Sequence, residues 1–370
     1  MIKLNEDMLI NDLCSTAIEL SGGANNNFIN NNYLNFVLLN EYLYHNFGKV
    51  ILYNKCFSEE QFVNLLYKKE CQSLFKFVTF LNDNNDDLLK LSSSFLKHLK
   101  KIDFKEYPYW DNLRGYSEKD FKDIILGYYS TYGNELYSHV KKYFDEKRIN
   151  LGTINDRSGY AGFFVGLQWI DSGYIFSIYN AFNSATASAL VHELGHAIDA
   201  ERFVFPQKKN IPVFSDVLCE VPSTTFELGF LDYLKSNRID IDGSMILKNN
   251  RICDMQDYFD AIKKVTKDTD DFEVCSDGIA EDKDGNEYDL RDSVLYGLGY
   301  YYALHLNLIQ SKDPKEFLKV FNNIVTMRKE SSFRDSVDMM GYNYNEFLSG
   351  SYIKPILKND MLELKKRYKY

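Results

Sequence analysis

The stretch His192-Glu193-Leu194-Gly195-His196 decides how this chain of 370 residues is interpreted. Its two histidines are four residues apart, so on a helix they lie on the same face, one turn from each other. Two imidazoles at that spacing can bind one metal ion, and a glutamate directly after the first histidine can reach a water on the metal's open side. The pattern therefore predicts two metal ligands, His192 and His196, and a general base, Glu193.

The residues around this motif predict a buried helix. The run Ser188–Ala200 is mostly small and apolar outside the motif, and Asn183 or Ser184 is expected to cap the helix. Two imidazoles and a carboxylate in a protein core need polar partners, and a metal ion supplies them. The competing interpretation, a helix with two unrelated histidines, leaves these polar groups unexplained.

The third metal ligand lies further along the chain. A tetrahedral catalytic zinc takes three protein ligands and leaves the fourth position to water. The metzincin continuation is excluded, because Asp199 and Arg202 stand where that class requires Gly and His. Glu220 follows His196 by 24 residues, enough for a loop and a return helix, and Glu227 lies seven residues later on the same face. We assign Glu220 as ligand and Glu227 as a residue that orients a histidine. Three acidic residues remain alternatives for the third ligand: Asp199, Glu201 and Asp216.

Short segments rich in β-branched and aromatic residues precede this helix and predict a small antiparallel sheet. They are Ile149–Ile154, Tyr160–Gln168 and Tyr174–Tyr179. If the last strand is a free edge, its backbone groups can bind an extended peptide by strand addition, and Ile175 and Ser177 then contact substrate. An edge covered by the protein itself is the alternative.

The remaining segments predict a mainly helical chain. Residues from about 5 to 115 carry helical apolar spacing, with a polar turn at Asn82–Asp87. A long helix is expected over Ser117–Lys147, and another over Ser215–Glu227, interrupted by Pro222. A last helix, Asn343–Arg367, is expected to be broken or kinked at its internal proline.

The composition limits the classes of partner. A net charge of −10 without any basic block argues against nucleic-acid binding. The six cysteines form no C-x-x-C pair and are expected to be reduced thiols of a cytoplasmic protein. The first residues are polar and acidic, unlike a secretory signal, and no apolar stretch is long enough to span a bilayer. We expect no nucleic-acid or membrane partner, and the sequence carries no signal of an oligomeric state.

The segments His192–Ala197 and Glu220–Glu227 together resemble the M3 family of zinc metallopeptidases, particularly its oligopeptidase F branch. Arg157–Tyr160 and Tyr174–Tyr179 resemble the strands that precede the metal helix in that family, and the likeness covers roughly Ser117 to the C-terminus. The resemblance implies a mainly helical, two-lobed gluzincin fold with a small sheet beside the metal helix, and one Zn²⁺ per chain. We expect an N-terminal helical lobe over residues 1–116, shorter than the family's, and a catalytic domain over 117–370.

A tyrosine-rich segment, Asp292–Ala303, is similar to the family segment that faces the zinc. The resemblance implies that Tyr296 donates a hydrogen bond to the tetrahedral oxyanion, which is the role a phenol suits there. The family's histidine just upstream has no counterpart, because Arg291 stands at that position. The family's second tyrosine, which binds substrate, corresponds to Tyr300, Tyr301 or Tyr302. We assign Tyr300 and Tyr301 as the candidates for this role.

The function expected from these residues is that of a zinc-dependent endopeptidase acting on short unstructured peptides. His192, His196 and Glu220 hold the metal, and a zinc-bound water activated by Glu193 attacks the scissile carbonyl. Glu193 then passes the proton to the leaving amine. Two alternatives stay open. One is a zinc-containing peptide-binding protein with little or no turnover, suggested by Arg291, and the other is a helical scaffold without a metal.

Overall fold

The computed structural model describes residues 3–21, 26–51, 59–100, 113–152, 162–167, 170–177, 181–207, 217–267, 272–274, 278–327 and 332–368. By its contacts the chain forms two compact units. Unit 1 comprises Met1–Leu66 and Gly115–Ile211, and unit 2 comprises Tyr67–Arg114 and Pro212–Tyr370. This grouping differs from the expected division into 1–116 and 117–370, and that division stays a prediction.

Helices make up most of the described chain, which confirms the mainly α fold class. In chain order they are α1 (Glu6–Ser21), α2 (Asn26–Phe47), α3 (Glu59–Leu99), α4 (Glu118–Ser130), α5 (Asn134–Asp145), α6 (Ser184–Asp199), α7 (Glu220–Ser236), α8 (Ile241–Lys267), α9 (Leu290–Lys312), α10 (Pro314–Met327), α11 (Phe333–Met339), α12 (Tyr344–Leu348) and α13 (Lys354–Tyr368). None of the described helices combines the length and the apolar character that crossing a bilayer requires.

Unit 1 contains a three-stranded sheet of β1 (Ile149–Leu151), β2 (Gly162–Leu167) and β3 (Ser172–Ser177), in the order β1-β3-β2. The sheet is mixed, because β3 runs parallel to β1 and antiparallel to β2, so the expectation of a purely antiparallel sheet is wrong. The sheet lies beside α6, as predicted, since both β2 and β3 contact that helix. Strand β3 is central and hydrogen-bonded on both sides, so the interpretation of Tyr174–Tyr179 as a free edge is also wrong.

Helices α1 and α2 share one hydrophobic core with this sheet. Their buried leucines, among them Leu13 and Leu39, pack with Val165 and Phe176 of the strands. A polar contact reinforces the packing, because Asp12 of α1 accepts hydrogen bonds from Arg148 Nη1 at 2.8 Å and from the Tyr174 hydroxyl at 2.6 Å. Each donor lies in or directly before a strand, so one carboxylate fixes α1 to two strands of the sheet.

Unit 2 is built on three packed helices, α7, α8 and α9, with α9 in contact with both of the others. A second sheet contains β4 (Phe272–Val274), β5 (Ile279–Asp282) and β6 (Glu287–Asp289), all antiparallel. Strand β6 leads directly into α9, where the Asp289 side chain accepts a hydrogen bond from the backbone N–H of Asp292. The small sheet therefore sets where α9 begins.

Several expected helix boundaries are wrong. The predicted turn at Asn82–Asp87 lies inside the continuous helix α3. The predicted helix Ser117–Lys147 begins at its cap but divides into α4 and α5 at Gly133, whose φ of 101° a helix cannot accommodate. The expected helix Asn343–Arg367 is indeed broken, between Leu348 of α12 and Lys354 of α13, and Pro355 lies in the first turn of α13. Pro222 does not interrupt a helix, because it lies in the first turn of α7. There a proline's missing N–H has no intrahelical partner to lose.

Candidate metal centre

The metal-binding helix α6 begins at a side-chain cap. Asn183 has an extended backbone (φ −140°, ψ 178°), and its Oδ1 accepts a hydrogen bond from Thr186 N at 2.9 Å. This confirms the first of the two predicted caps. The helix is buried on nearly all sides, and the Tyr129 hydroxyl of α4 donates to the Val191 carbonyl at 3.3 Å. The backbone directly before the motif is thereby held by a neighbouring helix.

The two histidines of the motif lie on one face of α6, as their spacing predicts. The ring centroids of His192 and His196 are 5.0 Å apart, with an interplanar angle of 77°. Rings of one helix that stand at this distance and angle can direct one nitrogen each at a common point. The sequence prediction of two neighbouring imidazole donors is therefore confirmed.

Glu193, the expected general base, is buried between α6 and the start of β2. A Cβ atom at Gly162 would lie 3.2 Å from both Cγ and Oε1 of Glu193, and 2.9 Å from the Phe176 carbonyl oxygen. Real Cβ atoms rarely approach other atoms so closely, so the strand can pass this carboxylate only because residue 162 has no side chain. The sequence alone did not single out Gly162.

Glu220, the expected third ligand, is the first residue of α7. One of its oxygens, Oε2, accepts a hydrogen bond from Ser223 Oγ at 2.8 Å. Helix α9 approaches closely, since a Cβ at Gly299 would lie 2.9 Å from the Glu220 Cβ. Both contacts restrict where the carboxylate can point.

Three side chains could hold a metal ion in the structure. His192, His196 and Glu220 each offer one ligand atom, and these atoms all lie within 4.8 Å of one another. The alternatives Asp199 and Glu201 are not part of this group. Asp216 lies outside the described residues.

Glu227, expected to orient a histidine, contacts two residues of unit 2. Its side chain is 1% exposed, and it accepts hydrogen bonds from Arg251 Nε at 2.7 Å and from the Tyr300 hydroxyl at 2.9 Å. Burial raises the pKa of Tyr300, so this phenol stays a neutral donor. Arg251 in turn pairs with Asp254 at 3.2 Å. Sequence reasoning missed Arg251, whose only signal is a basic residue inside the long helix α8.

The four candidate tyrosines of α9 have different surroundings. Tyr296 is half-buried and stacks on Tyr258, with ring centroids 5.9 Å apart. Tyr301 and Tyr302 are fully buried, and their hydroxyls bond to the Phe347 carbonyl and to Ser336 Oγ respectively. Tyr300 is also buried, where its hydroxyl meets Glu227. Of the four, only Tyr296 is not fully buried, and the roles assigned to these tyrosines stay predictions.

The remaining site predictions concern Ile175, Ser177 and Arg291. Ile175 and Ser177 are buried in the central strand β3 and paired in register with both neighbouring strands. Strand addition along β3 therefore has no free backbone edge to use. Arg291 donates its backbone N–H to the Gly278 carbonyl at 3.1 Å, and its side chain covers that glycine.

Comparison with known proteins yields structural matches only. No family model and no curated protein matches the sequence. A Bacillus anthracis str. Ames protein assigned as an oligoendopeptidase F matches with 14% identity and a TM-score of 0.48, covering 90% of this chain and 61% of that one. Pz peptidase A, solved with an inhibitor, matches with 14% identity and a TM-score of 0.48 over 81% of this chain and 62% of its own. A Chlamydophila abortus protein assigned as a peptidase matches with 14% identity and a TM-score of 0.46, covering 90% of this chain and 64% of that one.

The chain is thus structurally similar to oligoendopeptidase F and Pz peptidase over most of its length. The chain spans about three fifths of the length of these structures. At this identity and these TM-scores the likeness concerns the fold alone.

Proposed function

We propose that this chain is a zinc-dependent endopeptidase that hydrolyses peptide bonds in short unstructured peptides. The observation that carries the proposal is the convergence of His192, His196 and Glu220, whose ligand atoms lie within 4.8 Å of one another, beside the buried carboxylate of Glu193. Two imidazoles and one carboxylate are the ligand set of a large class of catalytic zinc sites, which keep one position open for water.

The donor set fits zinc in distance as well as in type. A tetrahedral zinc with bonds of about 2.1 Å separates its ligand atoms by about 3.4 Å. The three donors lie within 4.8 Å, so adjustments of about 1 Å in side-chain position bring them to that spacing. Ser223 Oγ donates a hydrogen bond to Oε2 of Glu220, which restricts the orientation of that carboxylate. Mixed nitrogen and oxygen donors favour zinc over magnesium or calcium.

The residues of this chain divide the chemistry between them. His192, His196 and Glu220 would hold the zinc ion, which would supply a Lewis acid for the scissile carbonyl and for the attacking water. Glu193 accepts the proton of the attacking water and returns it to the leaving amine. Its burial against Gly162 excludes bulk water from one side of the carboxylate. We propose that Tyr296, the partly buried tyrosine of α9, donates a hydrogen bond to the tetrahedral oxyanion.

An extended peptide fits strand β2 better than β3. Strand β2 is an outer strand of the described part of its sheet, and its first residue, Gly162, lies against Glu193. Near its other end, the Gly166 carbonyl already accepts a hydrogen bond from Asn35 Nδ2 at 2.7 Å. We propose that a substrate strand pairs with the Gly162 end of β2, which would bring its backbone to the general base.

The compartment we propose is the cytoplasm. In the described part of the chain, Cys14, Cys219 and Cys253 are not joined in disulfide bonds. Free thiols persist where glutathione and thioredoxin keep cysteine reduced.

Zinc analysis and peptide cleavage test the proposal. The purified chain is expected to contain about one zinc per molecule and to cleave internally quenched peptides, and a chelator should abolish cleavage. Glu193→Gln should keep the zinc and lower kcat by a factor of about 10²–10⁴, because a neutral amide cannot accept the proton. Glu135→Gln, an exposed glutamate of α5, is the matched control and should leave kcat unchanged.

The outcomes separate the alternatives. Zinc binding without cleavage of any peptide in a mixed library would favour a peptide-binding protein with little turnover. No zinc after gentle purification, and none taken up from solution, would favour the metal-free scaffold. Near-normal kcat in Glu193→Gln would refute the assigned mechanism.

A further inference from the structure

The metal-binding helix does not stop at a cap. Helix α6 continues into a π-turn, Ala200–Val204, in which the Phe205 N–H bonds to the carbonyl of Ala200, five residues earlier. A π-turn holds one more residue than an α-turn, so it changes the direction in which the following side chains point. Glu201, the second residue of this turn, has a side chain only 12% exposed.

The Glu201 carboxylate joins three elements of unit 1. Its Oε1 accepts hydrogen bonds from the Tyr143 hydroxyl at 2.6 Å and from Ser172 Oγ at 3.0 Å. Its Oε2 lies 3.5 Å from His139 Nδ1. Tyr143 and His139 belong to α5, and Ser172 is the first residue of β3. Burial raises the pKa of Tyr143, so its phenol remains a donor to this carboxylate.

This contact and the Glu193 contact hold the same helix against the same sheet. Gly162, against which Glu193 packs, pairs in register with Ser177 at the far end of β3 from Ser172. Glu201 follows Glu193 by eight residues, so the two contacts are separated by about 12 Å along the helix. A helix fixed at two such points cannot swing or slide on the sheet. Its orientation then sets where the histidine rings and the Glu193 carboxylate lie.

We propose that Glu201 is a positioning residue that locks the metal-binding helix against β3 and α5 and thereby places His192, His196 and Glu193 for catalysis. The inference rests on the proposed function, because Glu201 acts through those three residues and contacts no substrate. A displacement of about 1 Å at a reacting centre can cost two orders of magnitude in rate. Loss of the Glu201 contacts should therefore lower kcat more than it raises KM.

Two substitutions at position 201 separate positioning from bulk stability. Glu201→Ala removes both acceptor atoms, and we expect a fall in kcat of about 10–100-fold, with a fall of similar size in zinc affinity. Glu201→Gln keeps an oxygen that can accept from Tyr143 and Ser172, and we expect it to restore kcat to within about three-fold of the original protein. Glu135→Ala is the matched control, because this 83% exposed glutamate pairs with the adjacent Arg202 yet contacts neither hydroxyl.

The measurements are kcat and KM on one quenched peptide, zinc affinity by chelator competition, and the visible spectrum of the cobalt-substituted protein. The spectrum reports ligand geometry, which a merely less stable fold with an intact site leaves unchanged. If Glu201→Ala does not fold, the double variant Tyr143→Phe with Ser172→Ala removes the same two hydrogen bonds and takes its place.

Two results would overturn the inference. One is a folded Glu201→Ala protein with the kcat, zinc affinity and cobalt spectrum of the original. The other is Glu201→Gln as impaired as Glu201→Ala, which would show that the two hydrogen bonds are not what matters. Absence of cleavage by the unsubstituted protein would instead count against the proposed function, and zinc affinity would then test Glu201 separately.

Discussion

A buried histidine in unit 2 predicts how stability depends on pH. The His305 ring in α9 is fully buried, and its neighbours are the rings of Tyr301, Tyr342 and Phe347. Its Nδ1 lies 2.9 Å from the Tyr301 carbonyl, and its Nε2 has no hydrogen-bond partner among the described residues. Burial lowers the pKa of His305 from 6.5 to about 4, since the apolar surroundings disfavour the cation.

The magnitude follows from this pKa difference. A folded-state pKa below the unfolded-state value means that the unfolded chain binds the proton more readily, so the fold loses stability as the pH falls. The contribution of His305 is intact above pH 6.5 and fully lost below about pH 4. The whole effect is about 3.4 kcal/mol, of which about 2 kcal/mol is lost between pH 7.5 and 5.0.

Urea unfolding at several pH values measures this loss. His305→Phe removes the titrating group. Between pH 7.5 and 5.0, the free energy of unfolding of this variant should therefore fall by about 2 kcal/mol less than that of the original protein. The experiment is run with a chelator, because protonation of His192 and His196 would otherwise add the pH dependence of metal binding. His45→Gln, at an exposed position, is the matched control and should follow the original protein.

A direct titration can refute the reasoning. In a protein with isotopically labelled histidine, the ring signal absent from His305→Phe should titrate with a midpoint near pH 4. A midpoint above pH 6, or equal pH dependence of unfolding in the two proteins, would show that burial does not control this group. The slope with pH is the tested quantity, so a change in overall stability from the substitution does not affect the comparison.

Two further predictions concern the surroundings of the metal ligands. Arg251→Met leaves the buried Glu227 carboxylate without its cation and should lower the free energy of unfolding by about 3–5 kcal/mol, measured in urea; a loss below about 1 kcal/mol would contradict the ion-pair argument. Gly299→Ala places a methyl group 2.9 Å from the Glu220 Cβ and should weaken zinc binding about ten-fold in chelator competition. Gly297→Ala on the same helix, with its nearest contact at 3.3 Å, should change zinc affinity far less, and equal effects would exclude a role for that close approach.

Interactions between residues three or four positions apart were predictable from the sequence. Asn183 and Ser117 are helix caps because each has a polar side chain that accepts a hydrogen bond from the backbone N–H three residues later. The spacing of His192 and His196 predicts their common face for the same reason, since the helix repeat alone determines it. The expectation that Glu220 joins them needed only a return helix and the fact that a carboxylate is a common third ligand of zinc.

Interactions over long sequence separations decided the rest. Asn82–Asp87 has the composition of a turn, yet it stays helical, and Asn85 in it donates a hydrogen bond to the Thr266 carbonyl of α8, 181 residues away. Propensity predicts a break there, and tertiary contacts override a preference worth well under 1 kcal/mol per residue. The order β1-β3-β2 likewise depends on which strands meet, so no periodicity in Tyr174–Ser177 could show that this segment belongs to the central strand.

By itself, the sequence determined which residues can carry metal chemistry, because a helix repeat fixes the relative positions of His192, Glu193 and His196. Only the tertiary structure decided what holds them. Glu201 reaches Tyr143 and Ser172, which are 58 and 29 residues away, and Glu227 meets Arg251 and Tyr300. The sequence position of a carboxylate does not identify its hydrogen-bond partner, because burial and hydrogen bonding depend on segments that meet only in the folded chain.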